Sequence, residues 1–550
     1  MARFGKKLVI IAVLIAFAML LASAATFAAD KPAKNVIFLM TDGTSATHIA
    51  LARWYKGAPL ALDGILVGAV RTYSTESVIT DSAPAATAFA TGHKSNSKFL
   101  GILPELTTVP GVAPTARDEQ YKPVATVLEG ARLQGKSVGL VATSNIQHAS
   151  PAAFSAHTPF RDRYELIAKQ QAYGNIDVVF SAGKRFLLPQ AAGGTRADGQ
   201  NLVELLRSEG YAFVESRDQM LALAKGRVWG LFAAEAMQND MDRKALAPQE
   251  PSLAEMTKKA IELLAQNDKG FFLFVEASKV DWAAHGNEPM GVISDLLAYD
   301  EAVRVALEFA ARDGNTLVLA CADHGTGGMA IGAKQIYNIY DKMPFARLIE
   351  PLKKADMTGE GVAALLDDRS ESNIRLVLMQ HYGLENLTDE EIAKIQKAGK
   401  GRALAAVIGP MLSARSAIGW IYTGHTGEDV FLYAFGPQRP SGLIENTQIA
   451  AITAKALGFD LGAADRELFV PAEEAFRALG ATVAYDGSDE SRPVLVVRKG
   501  LLKAELPIDT NRLIIGKTTY KLPGITVYIA HTKKTYVPKA AVELAKAAGF

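Results

Sequence analysis

Five short apolar runs constrain this chain more than anything else in it: "NVIFLM" (35–40), "SVGLVAT" (137–143), "GFFLFVE" (270–276), "TLVLACA" (316–322) and "VFLYAFG" (430–436). Each has the length of a strand and lacks the alternation of a half-exposed one, so each reads as buried on both faces. Helical patterns lie between them. Ser252 and Glu255 form a capping box, and Leu253, Met256, Ala260 and Leu264 then repeat at helical spacing. Residues 292–314 form a second amphipathic helix stopped by Gly314, and 446–458 a third closed by Gly458. Strands alternating with helices predict an α/β fold, a mostly parallel central sheet with helices on both faces. Ligands bind such sheets beyond the carboxyl ends of the strands.

Three stretches depart from this pattern. Residues 1–29 run from Arg3, Lys6 and Lys7 through an apolar segment, Leu8 to Leu21, into small residues, the order of an export signal. We read them as a removed signal peptide, with an uncleaved anchor as the alternative, and expect a periplasmic or extracellular protein starting near Asp30. Residues 326–424 are helix-rich and read as an insertion, either a lid or oligomer contact near the site or a plain surface elaboration. After about residue 466 the pattern turns to short strands and turns. There "FVPAEEAFRALGA" (469–481) and "YVPKAAVELAKAAGF" (536–550) are alike, each an aromatic, Val-Pro, a short helix and a Gly stop. Two related units make a small separate α+β domain, 466–550, after a catalytic domain at 30–465. With a net charge of +1 the chain offers no broad basic field for nucleic acid, which favours a small-molecule partner. Cys321 is the only cysteine, so no intrachain disulfide is available, and its apolar surroundings make it a buried, inert thiol.

The strand ends carry the chemistry. "FLMTDG" ends in Asp42, and "FLFVEASKVDWAAH" supplies Glu276, Asp281 and His285. "LACADHGTGG" supplies Asp323 and His324, and "YTGHTGED" supplies His425 ahead of the last strand. Asp281 and His285, four apart, share one face of a helical turn. Singly, each has a plain reading as a turn residue, a cap or a satisfied core group. Together, unneutralised acids in one cleft would repel by several kcal/mol, an order-of-magnitude figure that divalent cations remove. Mixed Asp and His ligands suit zinc and all-oxygen sets suit magnesium, so a multi-metal site is expected. Beside it, "VITDSAPAATAFATGHKS" (78–95) places Ser82 at the head of a small-residue helix. Alone it reads as an N-cap; facing metals it becomes a nucleophile. "HASPAAFSAHTPFRDR" (148–163) adds Ser150 as an oxygen ligand and Arg161 as a fork for phosphate oxygens.

With "MTDGTS", "TDSAPAATA", "VEASKVDWAAH", "ADHG" and "GHTGED" in this order, residues 35–458 resemble the alkaline phosphatases. The resemblance implies one zinc on Asp281, His285 and His425, and a second on Asp42, Asp323 and His324 beside Ser82. A third metal, normally magnesium, would take Asp42, Ser150 and Glu276. Arg161 would bind phosphate, steadied by Asp81, with His148 and Trp282 as positioning neighbours of the third metal. The implied reaction cleaves phosphate monoesters through a phosphoserine at Ser82 and releases inorganic phosphate. The family also implies a homodimer. Three departures stand out. Pro84, where the family usually has a small non-proline residue, is tolerable early in a helix. His148 and Trp282 stand where the well-studied enteric enzyme has an aspartate and a lysine, though other members use His or Trp. Disulfides are lacking. The 466–550 segment resembles the small N-terminal domain of copper amine oxidases, without its implying copper, and reads as a stalk or interaction module contacting the envelope or another protein, or as an inert appendage. Two rival functions stay in view: a phosphodiesterase of the same superfamily, and an exported binding or envelope protein with a structural metal site. A sulfatase is excluded because "SAPAA" ends in Ala86 where that family needs arginine.

Overall fold

The computed structural model describes residues 32–550, so the signal-peptide expectation lies outside the described residues. Among them, no helix is long and apolar enough to cross a membrane. A ten-stranded sheet organises the chain. In chain order its strands are β1 (Asn35–Thr41), β2 (Leu66–Arg71), β3 (Ser137–Asn145), β4 (Val178–Ala182), β5 (Ala212–Val214), β6 (Val228–Leu231), β7 (Phe271–Ala277), β8 (Thr316–Ala322), β9 (Val430–Phe435) and β10 (Gly442–Glu445). Their spatial order is β10-β2-β9-β8-β1-β7-β3-β4-β6-β5. Every pairing is parallel except those of β9, which runs antiparallel to β8 and β2.

The five expected strands are the core of this sheet, and β1, β7 and β8 are buried along their whole length. Alternation along β1 shows why both faces are apolar. Val36, Phe38 and Met40 enter one helix-covered core, and Ile37 and Leu39 enter the other. The helix Leu253–Leu264 begins at the Ser252–Glu255 capping box. The long helix Pro289–Asp313 starts ahead of the expected residue 292, because Pro289 sits at its first turn and the Glu288 carboxylate accepts from Met290 N and Gly291 N. Gly314 ends it in the left-handed conformation.

The 326–424 segment holds five α-helices, from Phe345–Lys353 to Arg402–Arg415. They form a third core with Leu352, Ile374, Leu378, Ile408 and Leu412, packed on Met290 and Ile293 of the long helix. The segment leaves and returns through a narrow neck. Gly325–Thr326 pairs antiparallel with His425–Thr426, and Ala330–Ile331 with Ile418–Gly419.

The two similar units of the tail meet directly, since Val470–Pro471 pairs antiparallel with Lys534–Val537. A five-stranded meander follows the first unit and packs Leu495, Val497, Leu506 and Leu513 against Phe476 and Phe550. A second seam joins Leu468, Phe469, Ile525, Val527 and Tyr536 to Phe99, Ile102, Tyr121 and Ala125 of the main body.

Candidate active site

Seven of the site residues sit at one rim because of strand direction. β1, β7 and β8 run in parallel and end at Asp42, Glu276 and Asp323–His324. The helix Lys279–His285 follows β7 directly and carries Asp281 and His285. β9 runs the other way, so the chain entering it lies at the same rim, and the neck pairing of His425 with Thr326 holds that histidine beside His324. Gly43, at φ 65°, makes the close approach possible: a Cβ there would stand 2.5 Å from Asp281 Oδ1.

Three groups of ligand-type atoms result, each within a 4.8 Å span: Asp281 with His285 and His425, Asp42 with Asp323 and His324, and Asp42 with His148 and Glu276. Distances within them are short. Asp281 Oδ2 is 3.2 Å from His285 Nε2, and Asp281 Oδ1 is 3.7 Å from His425 Nε2. His324 Nε2 lies 3.2 Å from Asp323 Oδ2 and 3.7 Å from Asp42 Oδ1. The His324 and His425 rings stack at 3.7 Å.

The ring nitrogens show what these groups are built to hold. His285 Nδ1 donates to Thr423 O (2.5 Å) and His425 Nδ1 to Thr80 O (2.9 Å), and a carbonyl can only accept. These bonds put a proton on each Nδ1 and turn each Nε2 toward the rim, where the two stand 3.1 Å apart. That is the tautomer a metal-ligating histidine takes, oriented by its second nitrogen. The acids agree. Both oxygens of Asp42 and of Glu276, and Asp323 Oδ2, are buried without a hydrogen-bond partner. Burial, then repulsion from Asp323, Asp281 and Glu276, raises Asp42 well above the carboxylate range. Burial pushes Glu276 up to about 8, with the hydroxyls of Ser278 and Ser150 too weakly placed to offset it. Burial would also raise Asp281, but the hydrogen bond and charge of His285, with His324 and His425, hold it far below the ordinary range. Divalent cations fit this donor set, nitrogen-rich on the Asp281 side and carboxylate-rich around Asp42.

The helix Ser82–Thr91 points its head at this rim, and its N-cap is Asp81. Ser82 is thus the first helical residue, so the plain N-cap reading does not apply to it. Its hydroxyl is 3.2 Å from His324 Nε2. Arg161 reaches in from the loop after the Ala149–Ala153 helix. Its Nη1 pairs with Asp81 Oδ1 at 2.5 Å, and its Nη2 donates to His148 Nε2 at 3.3 Å. Burial and the Arg161 charge push His148 down to about 3, so the ring is neutral and able to accept. Ser150 is fully buried with its Oγ unpartnered. Trp282 meets the His148 ring edge-on at 5.7 Å.

Four contributors escaped the sequence reading. Thr326 donates to Asp281 Oδ1 at 2.6 Å, Thr80 and Thr423 orient the histidines through backbone carbonyls, and Arg402 stacks over Trp282 at 4.3 Å. Backbone carbonyls leave no trace in residue type, and Arg402 comes from the insertion, far away in sequence. A cavity of about 440 Å³ lined by Thr80, Asp81, His285, Tyr422 and His425 opens the rim to solvent.

Comparison with known proteins identifies the family. The family profile described as alkaline phosphatase matches residues 33–459. Alkaline phosphatase 3 of Bacillus subtilis is 34% identical over 496 residues, covering 85% of this chain and 100% of its own length. Alkaline phosphatase 4 of the same organism is 36% identical over 445 residues, 77% of this chain and 88% of its own. The crystal structure of Thermus thermophilus alkaline phosphatase matches with a TM-score of 0.69 at 26% identity, over 79% of this chain and 93% of that one. The chain is therefore an enzyme of the alkaline phosphatase family.

Proposed function

We propose that this phosphatase hydrolyses phosphate monoesters through a phosphoserine formed at Ser82, with two zinc ions and a third metal held by the rim. The observation that carries the reading is the set of buried carboxylate oxygens without a partner, both of Asp42, both of Glu276 and Oδ2 of Asp323, gathered with His285, His324 and His425 near one helix-head hydroxyl. One zinc would take Asp281, His285 and His425, and the other Asp42, Asp323 and His324. Asp42, Glu276 and Ser150 would hold the third metal, assigned to magnesium on its oxygen ligands, with His148 close enough to join them. When bound, these ions supply Lewis-acid charge that offsets the acids and polarises the phosphoryl group.

The chain's own groups do the rest. Arg161 offers a two-pronged fork for two phosphoryl oxygens, held in aim by Asp81 on one nitrogen and His148 on another. The helix head favours the anion, and Ser82 Oγ at that head would be the group that attacks in line. A bond forms from Oγ to phosphorus as the bond to the ester oxygen breaks, and the leaving group departs as an alcohol. Water then cleaves the phosphoserine, so one ester and one water give one alcohol and one phosphate. Trp282 stays outside the displacement and packs the His148 ring in place.

The test is trapping. Acid quenching during turnover of labelled ester should leave label on the peptide containing Ser82; full activity with label absent or on another residue contradicts the reading. Turnover of p-nitrophenyl phosphate should exceed that of bis-p-nitrophenyl phosphate, and the reverse order would make the enzyme a diesterase. The order of the first 29 residues supports export to the periplasm or beyond. We carry forward the homodimer implied by the family, which light scattering checks, and a division into a catalytic unit (30–465) and a C-terminal module (466–550).

A further inference from the structure

The C-terminal module grips the short segment that delivers Arg161, and it does so at three points. Phe469 meets the buried His157 ring edge-on at 4.6 Å. Asp509 accepts from Gln170 Nε2 at 2.7 Å, and Gln170 Oε1 in turn accepts from His157 N at 2.7 Å. His531, in the turn between Val527–Ile529 and Lys534–Val537, stacks on Tyr121 at 4.8 Å and leans on Phe160 at 5.5 Å. Phe160 is the residue next to Arg161, whose own backbone N–H is bonded to Lys98 O. Lys534 Nζ donates to Asp118 O at 2.7 Å, fixing this turn to the loop that carries Tyr121.

We propose that residues 466–550 act as a brace on the Arg161 segment, with His531 as its positioning residue. Arg161 reaches the rim from a loop, and its aim depends on where the backbone of 157–161 is held. Asp81 and His148 fix the guanidinium end, and on its inner side the backbone is bonded to residues 98–100 through Arg161 N to Lys98 O and the reciprocal Thr158–Leu100 pair. The module adds a further anchor on the other side of the segment, at Phe160, His157 and Gln170. The His531–Phe160 pair is exposed, 41% at Phe160, so it buries little and adds little to overall stability. Its consequence lies in geometry, because displacement of a binding group by a fraction of an ångström weakens the interaction it makes. This inference rests on the assignment of Arg161 to phosphate binding made above.

The full-length holoenzyme tests it with five variants: His531→Ala, His531→Phe, Phe160→Ala, Arg161→Ala and the double variant His531→Ala with Arg161→Ala. The readouts are kcat and KM for p-nitrophenyl phosphate, the inhibition constant of inorganic phosphate, and the melting temperature. His531→Ala and Phe160→Ala should each raise KM and the phosphate inhibition constant about three- to ten-fold with little change in kcat or melting temperature. His531→Phe, which keeps a ring in place, should restore both constants. In the Arg161→Ala background, His531→Ala should add nothing, because the brace acts through that arginine. A phosphate constant unmoved by His531→Ala while Arg161→Ala weakens it removes the brace and leaves the site assignment standing. Equal weakening by His531→Ala in both backgrounds also overturns the brace. Phosphate binding unaffected by Arg161→Ala would instead overturn the assignment of the arginine itself.

Discussion

Two acid–histidine clusters in this molecule each hold buried carboxylates and treat them in opposite ways. Away from the rim, Glu129 accepts from Thr126 N at 3.0 Å, Thr126 Oγ1 at 3.2 Å and His157 Nε2 at 3.1 Å, while His157 Nδ1 donates to Gly101 O at 2.8 Å. Its polar groups are answered by protein. At the rim, Asp42, Glu276 and Asp323 keep oxygens with no partner. A buried polar group left unanswered costs about 1–3 kcal/mol, more when charged. The fold therefore tolerates at the rim what it avoids a few turns away, and bound cations are the proposed answer to that difference.

The largest effect expected on this contrast comes from Ser82→Ala. It should cut kcat by about 10³-fold or more while metal content stays at the wild-type level, since the hydroxyl works beside the acids and is dispensable for holding ions. Parallel loss of metal would mean that Ser82 shapes the site instead of reacting in it.

One substitution made in both clusters should give opposite signs. In chelated protein, Glu129→Gln is expected to lower stability by about 2–4 kcal/mol, because it leaves His157 buried without its counter-charge. In the same buffer Glu276→Gln should leave the melting temperature unchanged or raise it, because it removes one of several mutually repelling carboxylates. If both destabilise alike, the rim is an ordinary hydrogen-bonded core.

The answered pair also predicts a pH window. Burial alone would raise Glu129, but His157 reverses this and holds it below 4.5. Burial alone would lower His157, but Glu129 holds it above 6.5. The contribution is whole between about 4.5 and 6.5. It fades as acid protonates Glu129 through its depressed pKa, and as base deprotonates His157 through its raised one. The difference in melting temperature between wild type and His157→Gln, followed across pH, should peak inside that window. The smallest effect belongs to Cys321, which is buried and raised well above an ordinary thiol by burial and by Asp323. Iodoacetamide should leave native activity unchanged.

Much of this was legible from residue order. The runs at 35–40, 270–276 and 316–322 declare themselves because strands buried on both faces have no polar alternation to blur them. Strands β2, β5, β6 and β10 do not: "LVGAVR" and "GLIE" contain glycine and are partly exposed, and "AFV" and "VWGL" are too short to carry a period. The candidate acids and histidines could be named because strand ends deliver them. What residue order could not show was the neck pairing that sets His425 beside Thr326, the reversed β9 that puts it on the right rim, and the contact of His531 with Phe160. All of these are long-range pairings with no local signature.

The most direct test of the central claim is metal content per chain measured together with phosphate release, before and after chelation. The account predicts about three divalent ions per chain, two of them zinc, with activity lost on their removal and restored on their return. A folded chain that is fully active without bound ions would contradict it.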